Sequence, residues 1–424
     1  MDGERRGAVS GRRIPAATTA LPAFPRARFA RWALAAQGLH RDAAFGRGLR
    51  GVRNAITHLG YVQIDTISVV ERAHHHTLHA RVPDYAPAML DRLQARGEVF
   101  EYWFHAAAYL PMQDYRFALP RMHAIRDGEK HWFANRDRRL EADIMARVRA
   151  DGALRTRDLE QAEGGGREAG GWWNWTPAKR AIEALYFEGS LMAAGRDGFA
   201  KVYDLPERVL PAGTDTTPPT AAEFAAWLVR THLRAHGFAE PKEFSYLRRG
   251  APLRQAIRAH LDAAVGEGEL VRARIAECGT EVYLPPALLD TRPKAAPQVR
   301  LLSPFDNSVI QRERAMRVHD FDYQIECYTK AEKRRFGYFC LPILFGERFV
   351  GRADCKADRK AGVLRVQHLH VEREDLDVQA FAAALGTALA AFAAFNGCTE
   401  LALGRVSPAS ARRHFAGLAT TTGA

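Results

Sequence analysis

"ALYFEGSLMAAGRDGFAKVYDLPERVLP" (184–211) has a twin in "AAVGEGELVRARIAECGTEVYLPPALLD" (263–290). Each reads as a helix end, an E-G-x-L turn, a strand, a Gly-containing turn, a second strand carrying Tyr203 or Tyr283, and a Leu-Pro stop. Upstream of each, apolar residues recur at helical period, over 140–150, 155–162 and 176–188 for the first and 220–236, 241–248 and 253–265 for the second. Three helices followed by a two-stranded hairpin are the plan of a winged helix, a helix-turn-helix variant. Two copies on one plan predict a tandem array.

Working outward, "ARFARWALAAQGL" (27–39) and "GLRGVRNAITHLG" (48–60) are again helix-period, so residues 26–70 read as a third copy, with "YVQIDTISVV" (61–70) in the place of its first wing strand. Residues 86–126 read as further helix with an aromatic cluster packed on this unit. After residue 297 the pattern becomes alternating runs at 298–302, 320–329, 336–345, 348–354 and 363–371, then an Ala-rich helix at 374–395. That predicts a compact antiparallel sheet or barrel. The expected layout is therefore α+β: a disordered basic tail (1–25), three helix-rich units (26–135, 136–215, 216–296) and a C-terminal β-barrel-like domain with a helix (297–424).

With 424 residues the chain has room for two to four domains with sizeable cores. Its five cysteines, Cys278, Cys327, Cys340, Cys355 and Cys398, form no C-x-x-C pair or other metal-ligand spacing, which predicts reduced thiols and argues against an iron–sulfur cluster. No cofactor is expected. A formal charge of +12 favours a polyanionic partner. No apolar run approaches the ~20 residues of a membrane span, and no secretory h-region opens the chain, so a cytoplasmic protein without a membrane partner is expected. The Gly-rich stretch 164–171 reads as a flexible loop, because no G-K-[ST] follows to make a phosphate cradle.

"HLGYVQIDTISVVERAHHHTLHAR" (58–81) carries the sharpest chemical signal. Tyr61, Val62, Ile64, Ile67, Val69 and Val70 read as a buried strand, yet Gln63 and Asp65 interrupt it. Strand alternation points these two the same way while Val62 and Ile64 enter the core. A solvent-facing polar edge would explain them blandly, but a carboxylate in so apolar a run must be hydrogen-bonded, paired or functional. His74, His75, His76 and His79 invite a metal; without a second Cys/His cluster, none is expected, and one or two imidazoles should line a cleft.

"EYWFHAAAYLP" (101–111) brings Glu101, Tyr102, Trp103 and His105 together; aromatics so spaced belong more often to a core, and in a cleft could stack on a base. "KAEKRR" (330–335) sets Lys330, Lys333, Arg334 and Arg335 in a turn that is either merely solvated or a phosphate contact. "SPFDNSVIQRERA" (303–315) adds Asp306, Arg312 and Arg314.

Taken together, "LGYVQIDTISVVERAHHHTL" (59–78), "FEYWFHAAAYLP" (100–111), "LLSPFDN" (301–307), "RERA" (312–315) and "FDYQIECYTKAEKRRFGYFCLPILFGERFVGRADCKADR" (321–359) resemble the bacterial AlkZ-like DNA glycosylases, and within them the YcaQ (AlkX) branch. The resemblance runs from about residue 26 to the C-terminus. It implies tandem winged helices in a C shape with a C-terminal barrel-like domain, a monomer acting on double-stranded DNA, and excision of N7-alkylguanine with unhooking of interstrand crosslinks. The AlkZ branch carries a Q-x-Q catalytic motif and the YcaQ branch Q-x-D, which "QID" matches at Gln63 and Asp65.

The chemistry suits those residues independently. Alkylation at N7 makes guanine a cationic leaving group that departs without a general acid; the enzyme needs a negative charge near the anomeric carbon and an oriented water. Asp65 can supply the charge and accept the water's proton, and Gln63 can hold the water or Asp65. A lyase would need an amine nucleophile, and no lysine precedes Lys130, so a monofunctional enzyme is expected. Arg72, His74, His75, Arg312, Arg314 and the 330–335 turn are the expected DNA contacts. The competing expectations are a winged-helix regulator without activity, which leaves Gln63 and Asp65 idle, and a metal-dependent nuclease using Asp65 and the histidines.

Overall fold

A computed structural model describes residues 21–129, 136–162 and 176–418, so the Gly-rich stretch 164–171 and Lys130 lie outside the described residues. The described residues begin with β1 (Ala23–Phe24) and α1 (Arg26–Ala36), and one order of elements then recurs. The first pass runs α2 (Gly48–Leu59), β2 (Val62–Gln63), α3 (Ala73–His79), α4 (Pro87–Ala95), β3 (Val99–Trp103) and β4 (Ala107–Pro111), with sheet order β2-β4-β3. After α5 (Leu119–Arg126), the second pass runs α6 (Arg138–Asp151), β5 (Leu154–Arg155), α7 (Thr156–Ala162), α8 (Pro177–Phe187), β6 (Met192–Asp197) and β7 (Ala200–Asp204), with sheet order β5-β7-β6. A short helix, α9 (Pro206–Val209), leads to the third: α10 (Ala221–His236), the single bridging residue Ala239, α11 (Pro241–Phe244), α12 (Ala251–Gly266), β8 (Val271–Ile275) and β9 (Glu281–Leu284), where Ala239 pairs with Tyr283.

Local chemistry fixes these boundaries. Asp137 caps α6 by accepting the N–H groups of Arg139 and Leu140, and Thr220 with Glu223 forms a reciprocal capping box on α10. The repeated hairpins turn at Gly198 and Gly279, both at positive φ.

Three expectations change here. "YVQIDTISVV" is not a wing strand: only Val62–Gln63 pairs, as the short strand between helices, and the hairpin comes from "EYWFHAAAYLP". Residues 86–126 are thus helix, hairpin and helix. The tail does not extend to residue 25, because Pro22 and Phe24 accept from Arg274 and Ala276 and β1 lies parallel to β8. Phe29 and Trp32 of α1 pack with Phe238, Ile275 and Val282, which ties the start of the chain to the third hairpin.

Beyond β10 (Val299–Leu301) and α13 (Arg312–His319), β11 (Cys340–Phe345), β12 (Arg348–Asp358), β13 (Val363–Val371), α14 (Val378–Phe395) and β14 (Glu400–Ser407) complete a five-stranded sheet in the order β10-β11-β12-β13-β14. This corrects the antiparallel barrel. The sheet is open, with β10 and β14 at opposite edges, and β14 runs parallel to β13 because α14 carries the chain back between them. By length and composition α14 could cross a membrane, but Phe381, Leu385, Leu389 and Phe392 bury in the core of this sheet.

Candidate active site

Gly60 closes α2 at φ +79°, and a Cβ there would stand 2.3 Å from Thr231 of α10, so only glycine lets the two helices approach where β2 begins. The next residue is tied from the far end of the chain: Asn307 donates its side-chain amide to the Tyr61 carbonyl at 3.1 Å. The loop carrying Asn307 is itself clamped by a fully buried bidentate pair, Arg81 to Asp306, at 2.6 and 2.9 Å. Burial alone would raise the Asp306 carboxyl, but Arg81 and Ser308 hold it below its ordinary value.

On this base Gln63 sits opposite Ala108 of β4, 8% exposed. The ladder continues through Ile64 N–H to Ala107, and then the chain leaves the sheet. Asp65 turns back to accept the Ile67 N–H at 2.8 Å, an Asx-type turn that fixes one carboxylate oxygen. Residues 68–71 are pinned in turn to Arg359, Ala357 and Asn396.

Gln63 Oε1 lies 3.0 Å from His105 Nε2, in the β3–β4 turn. Burial, reinforced by Arg248, lowers His105 to about 3, so the ring is neutral; donating from Nε2 to Gln63 leaves Nδ1 bare and without a partner. With its oxygen held, Gln63 presents an amide nitrogen that has no partner among the described residues. Tyr61 stacks on Phe104 at 4.3 Å, Tyr246 stands edge-on to His105 at 5.3 Å, and a cavity of about 20 Å³ behind them has room for one water, not for a purine.

Asp65 is half-buried and forms no ion pair among the described residues. Burial raises its carboxyl above the ordinary value, opposed by the N–H groups of Ile67 and Thr66. Its charge reaches Cys327 and Tyr328, both raised first by burial and then by Asp65. The loop of these two residues is rigid at its base: Glu326 accepts three successive N–H groups from Arg335 to Gly337, and Asp354 accepts those of Tyr338 and Phe339. A Cβ on Gly337 would meet the Asp354 carboxylate at 2.2 Å. The loop sets Lys330, Lys333 and Arg335 in solvent, while Arg334 binds the Thr329 carbonyl.

A family model for the AlkZ-like DNA glycosylases matches residues 56–395. The chain belongs to the AlkZ-like DNA glycosylase family. It is accordingly a hydrolase of N-glycosyl bonds in DNA. The structure of Streptomyces sahachiroi DNA glycosylase AlkZ superposes with a TM-score of 0.61 at 17% identity, covering 91% of this chain and 100% of that one, a likeness of fold.

In this AlkZ-like glycosylase the other expected contacts separate. His74 is 2% exposed, and burial holds it neutral, so it cannot touch DNA; His75 binds the Tyr85 hydroxyl at 2.6 Å. His76 bonds the Leu301 carbonyl, and His79 stacks on Phe395 at 3.9 Å. His74 and His76 belong to the core, while His75 and His79 are half-buried. Arg314 is 3% exposed and paired with Glu243 at 2.6 Å, which removes it from any DNA surface. Arg312 spends its donors on Val309 and Pro304 carbonyls, and Arg72 lies over the Phe199 ring at 4.4 Å. Glu101 is buried against Arg196, and Tyr102 donates to the Phe187 carbonyl, so the aromatic cluster is largely interior. Sequence reading gave no role to His105 and did not single out Arg81, Asn307 or Tyr246; they reach the motif directly or through one another, across tens to hundreds of residues.

Proposed function

We propose that this glycosylase hydrolyses the N-glycosidic bond of N7-alkylguanine by a monofunctional, water-using route and unhooks interstrand crosslinks made by bifunctional alkylators. The observation that carries this reading is Asp65: a half-buried carboxylate, raised by burial, with no cation to neutralise it among the described residues, two residues from a glutamine whose oxygen is held and whose amide nitrogen has no partner among them. As the C1′–N9 bond breaks, its electron pair leaves with the base and cancels the N7 cation. Asp65 faces the developing oxocarbenium charge, water held by the Gln63 amide adds to C1′, and its proton passes to Asp65. No lysine forms an ion pair or hydrogen bond with either residue among the described residues, in keeping with a water nucleophile. Q-x-D at Gln63 and Asp65 supports a YcaQ-like reading of the chain.

In this reading the three repeated units are winged helices set in a C around the duplex, and Lys330, Lys333 and Arg335 meet phosphates beside the lesion. The cavity behind Tyr61 and His105 is too small for a purine, and in this reading the alkylated base stays in an open cleft, which suits a guanine tethered to the opposite strand. The test compares N7-methylguanine with a bulky N7 adduct and a nitrogen-mustard crosslink in single turnover. The two monoadducts should release free base, and the crosslink should give separable strands with the excised guanine still tethered to the opposite one, all without strand cuts before alkali. Binding without base release would contradict the reading, and a drop above about a hundredfold on bulky adducts, ~2.7 kcal/mol of barrier, would contradict the open cleft.

A further inference from the structure

The turn Ser245–Tyr246–Leu247–Arg248 joins α11 to α12, closed by Arg248 N–H on the Ser245 carbonyl at 2.8 Å. Leu247 occupies its third position at φ +56°, where such turns ordinarily place glycine or asparagine. It is also 68% exposed, the most exposed large aliphatic side chain among the described residues. Both features cost stability, and a glycine would remove both.

The residues beside it are fastened to the active site. Tyr246 donates its hydroxyl to the Ile310 carbonyl at 3.2 Å and packs on His105, the partner of Gln63. Arg248 donates to the Phe104 carbonyl at 3.1 Å and lies over that ring at 4.2 Å. The base of the turn is therefore fixed to the β3–β4 turn that holds Gln63, while its apolar tip projects. Arg249, two residues on in the chain, is exposed, as are Arg254 and Arg258 on the following turns of α12. An apolar tip flanked in the chain by an exposed arginine and rooted at a glycosylase's site fits one occupant, the base stack of duplex DNA with its flanking phosphates.

We propose that Leu247 is an unstacking wedge that enters the duplex beside the damaged nucleotide and exposes its anomeric carbon to Gln63 and Asp65. The proposal rests on the placement of the catalytic pair at those residues. A wedge contributes only where bases are stacked, so the effect of removing it should depend on the state of the DNA, not of the protein.

The test uses full-length Leu247→Ala and Leu247→Gly with N7-methylguanine either paired in a duplex or centred in a short unpaired bubble. Single-turnover excision from the paired duplex should fall roughly ten- to a hundredfold, a share of the cost of unstacking one base, while excision from the bubble stays near wild type. The thermal midpoint of Leu247→Gly should equal or exceed that of wild type, since glycine accepts the positive φ. A 2-aminopurine beside the lesion should brighten on binding wild type and not on binding Leu247→Ala. Equal excision by wild type and Leu247→Ala on the paired duplex overturns the proposal, as does an equal fall on both substrates. Should wild type release no base at all, the catalytic assignment fails separately, and the fluorescence alone decides the wedge: a rise that survives Leu247→Ala overturns it.

Discussion

β2 and β5 hold the same position in successive passes of one fold, each a two-residue strand between helices that pairs with the second strand of the following hairpin. Their chemistry is opposite. Arg155 on β5 faces outward and is satisfied locally, by Asp158 three residues on and by Asp197. Gln63 on β2 is buried and held from a distance by His105, the preceding Tyr61 is tied by Asn307, and Asp65 beyond accepts the Ile67 N–H with no cation among the described residues. In the third pass the position shrinks to Ala239. The repeated unit thus supplies a frame, and a reactive site arises only where other parts of the chain converge on it and leave a carboxylate uncompensated.

The difference can be broken most sharply at Asp65. Asp65→Asn keeps the shape and removes charge and basicity, so single-turnover base excision should fall by ~10²–10⁴ with DNA binding retained, whereas Arg155→Ala at the matching position leaves excision from the saturated complex unchanged. Near-normal excision by Asp65→Asn would erase the contrast.

A second break removes the convergence itself. Arg81→Ala strands the buried Asp306 charge beneath the loop that holds Tyr61, and should cost about 3–5 kcal/mol in denaturant unfolding. Removing Arg155 from its exposed pairs should cost under about 1 kcal/mol.

Acid sharpens the contrast further, because neutral histidines crowd the first unit. Burial lowers His75, His76 and His79 to about 4 and His105 to about 3. The unfolded chain binds these protons near pH 6.5 and the folded one only near 3–4, so stability is intact above 6.5 and falls on acidification through that window, by up to ~1.4 kcal/mol per pH unit for each histidine. A flat unfolding midpoint from pH 7 to 4.5 would show the rings to be solvated.

The smallest effect belongs to the surface. Neutralising Lys333, Arg334 and Arg335 together should reduce the salt dependence of DNA binding by a slope of roughly 0.9 for each phosphate no longer neutralised. An unchanged slope would mean that the loop beside Asp65 faces away from DNA.

What the sequence made legible was local. The hairpins after E-G-x-L are placed by turn chemistry, and Gln63 and Asp65 stand out because polar groups in an apolar run need a reason. The histidine run misled because a neutral imidazole packs as an aromatic ring, as His79 does on Phe395. Arg314 misled because α13 turns its Arg314, Ala315 and Val318 inward. The barrel failed because alternation cannot distinguish parallel from antiparallel pairing; the signal lay in the strand–helix–strand order of β13, α14 and β14, whose last strand went unread. The contacts Gln63–His105 and Tyr61–Asn307 bridge separations of 42 and 246 residues, which no local pattern encodes.

At the centre of the proposed chemistry Asp65, whose carboxyl is raised by burial, would act as an ionised base. The most direct measurement is the pH dependence of single-turnover N7-methylguanine excision from a saturated complex. The rate should fall on the acid side through an apparent pKa above that of an ordinary aspartate, ~3.9, and Asp65→Asn should lose this limb along with most of its activity. A rate independent of pH down to the onset of acid unfolding, or a limb that persists in Asp65→Asn, would contradict it.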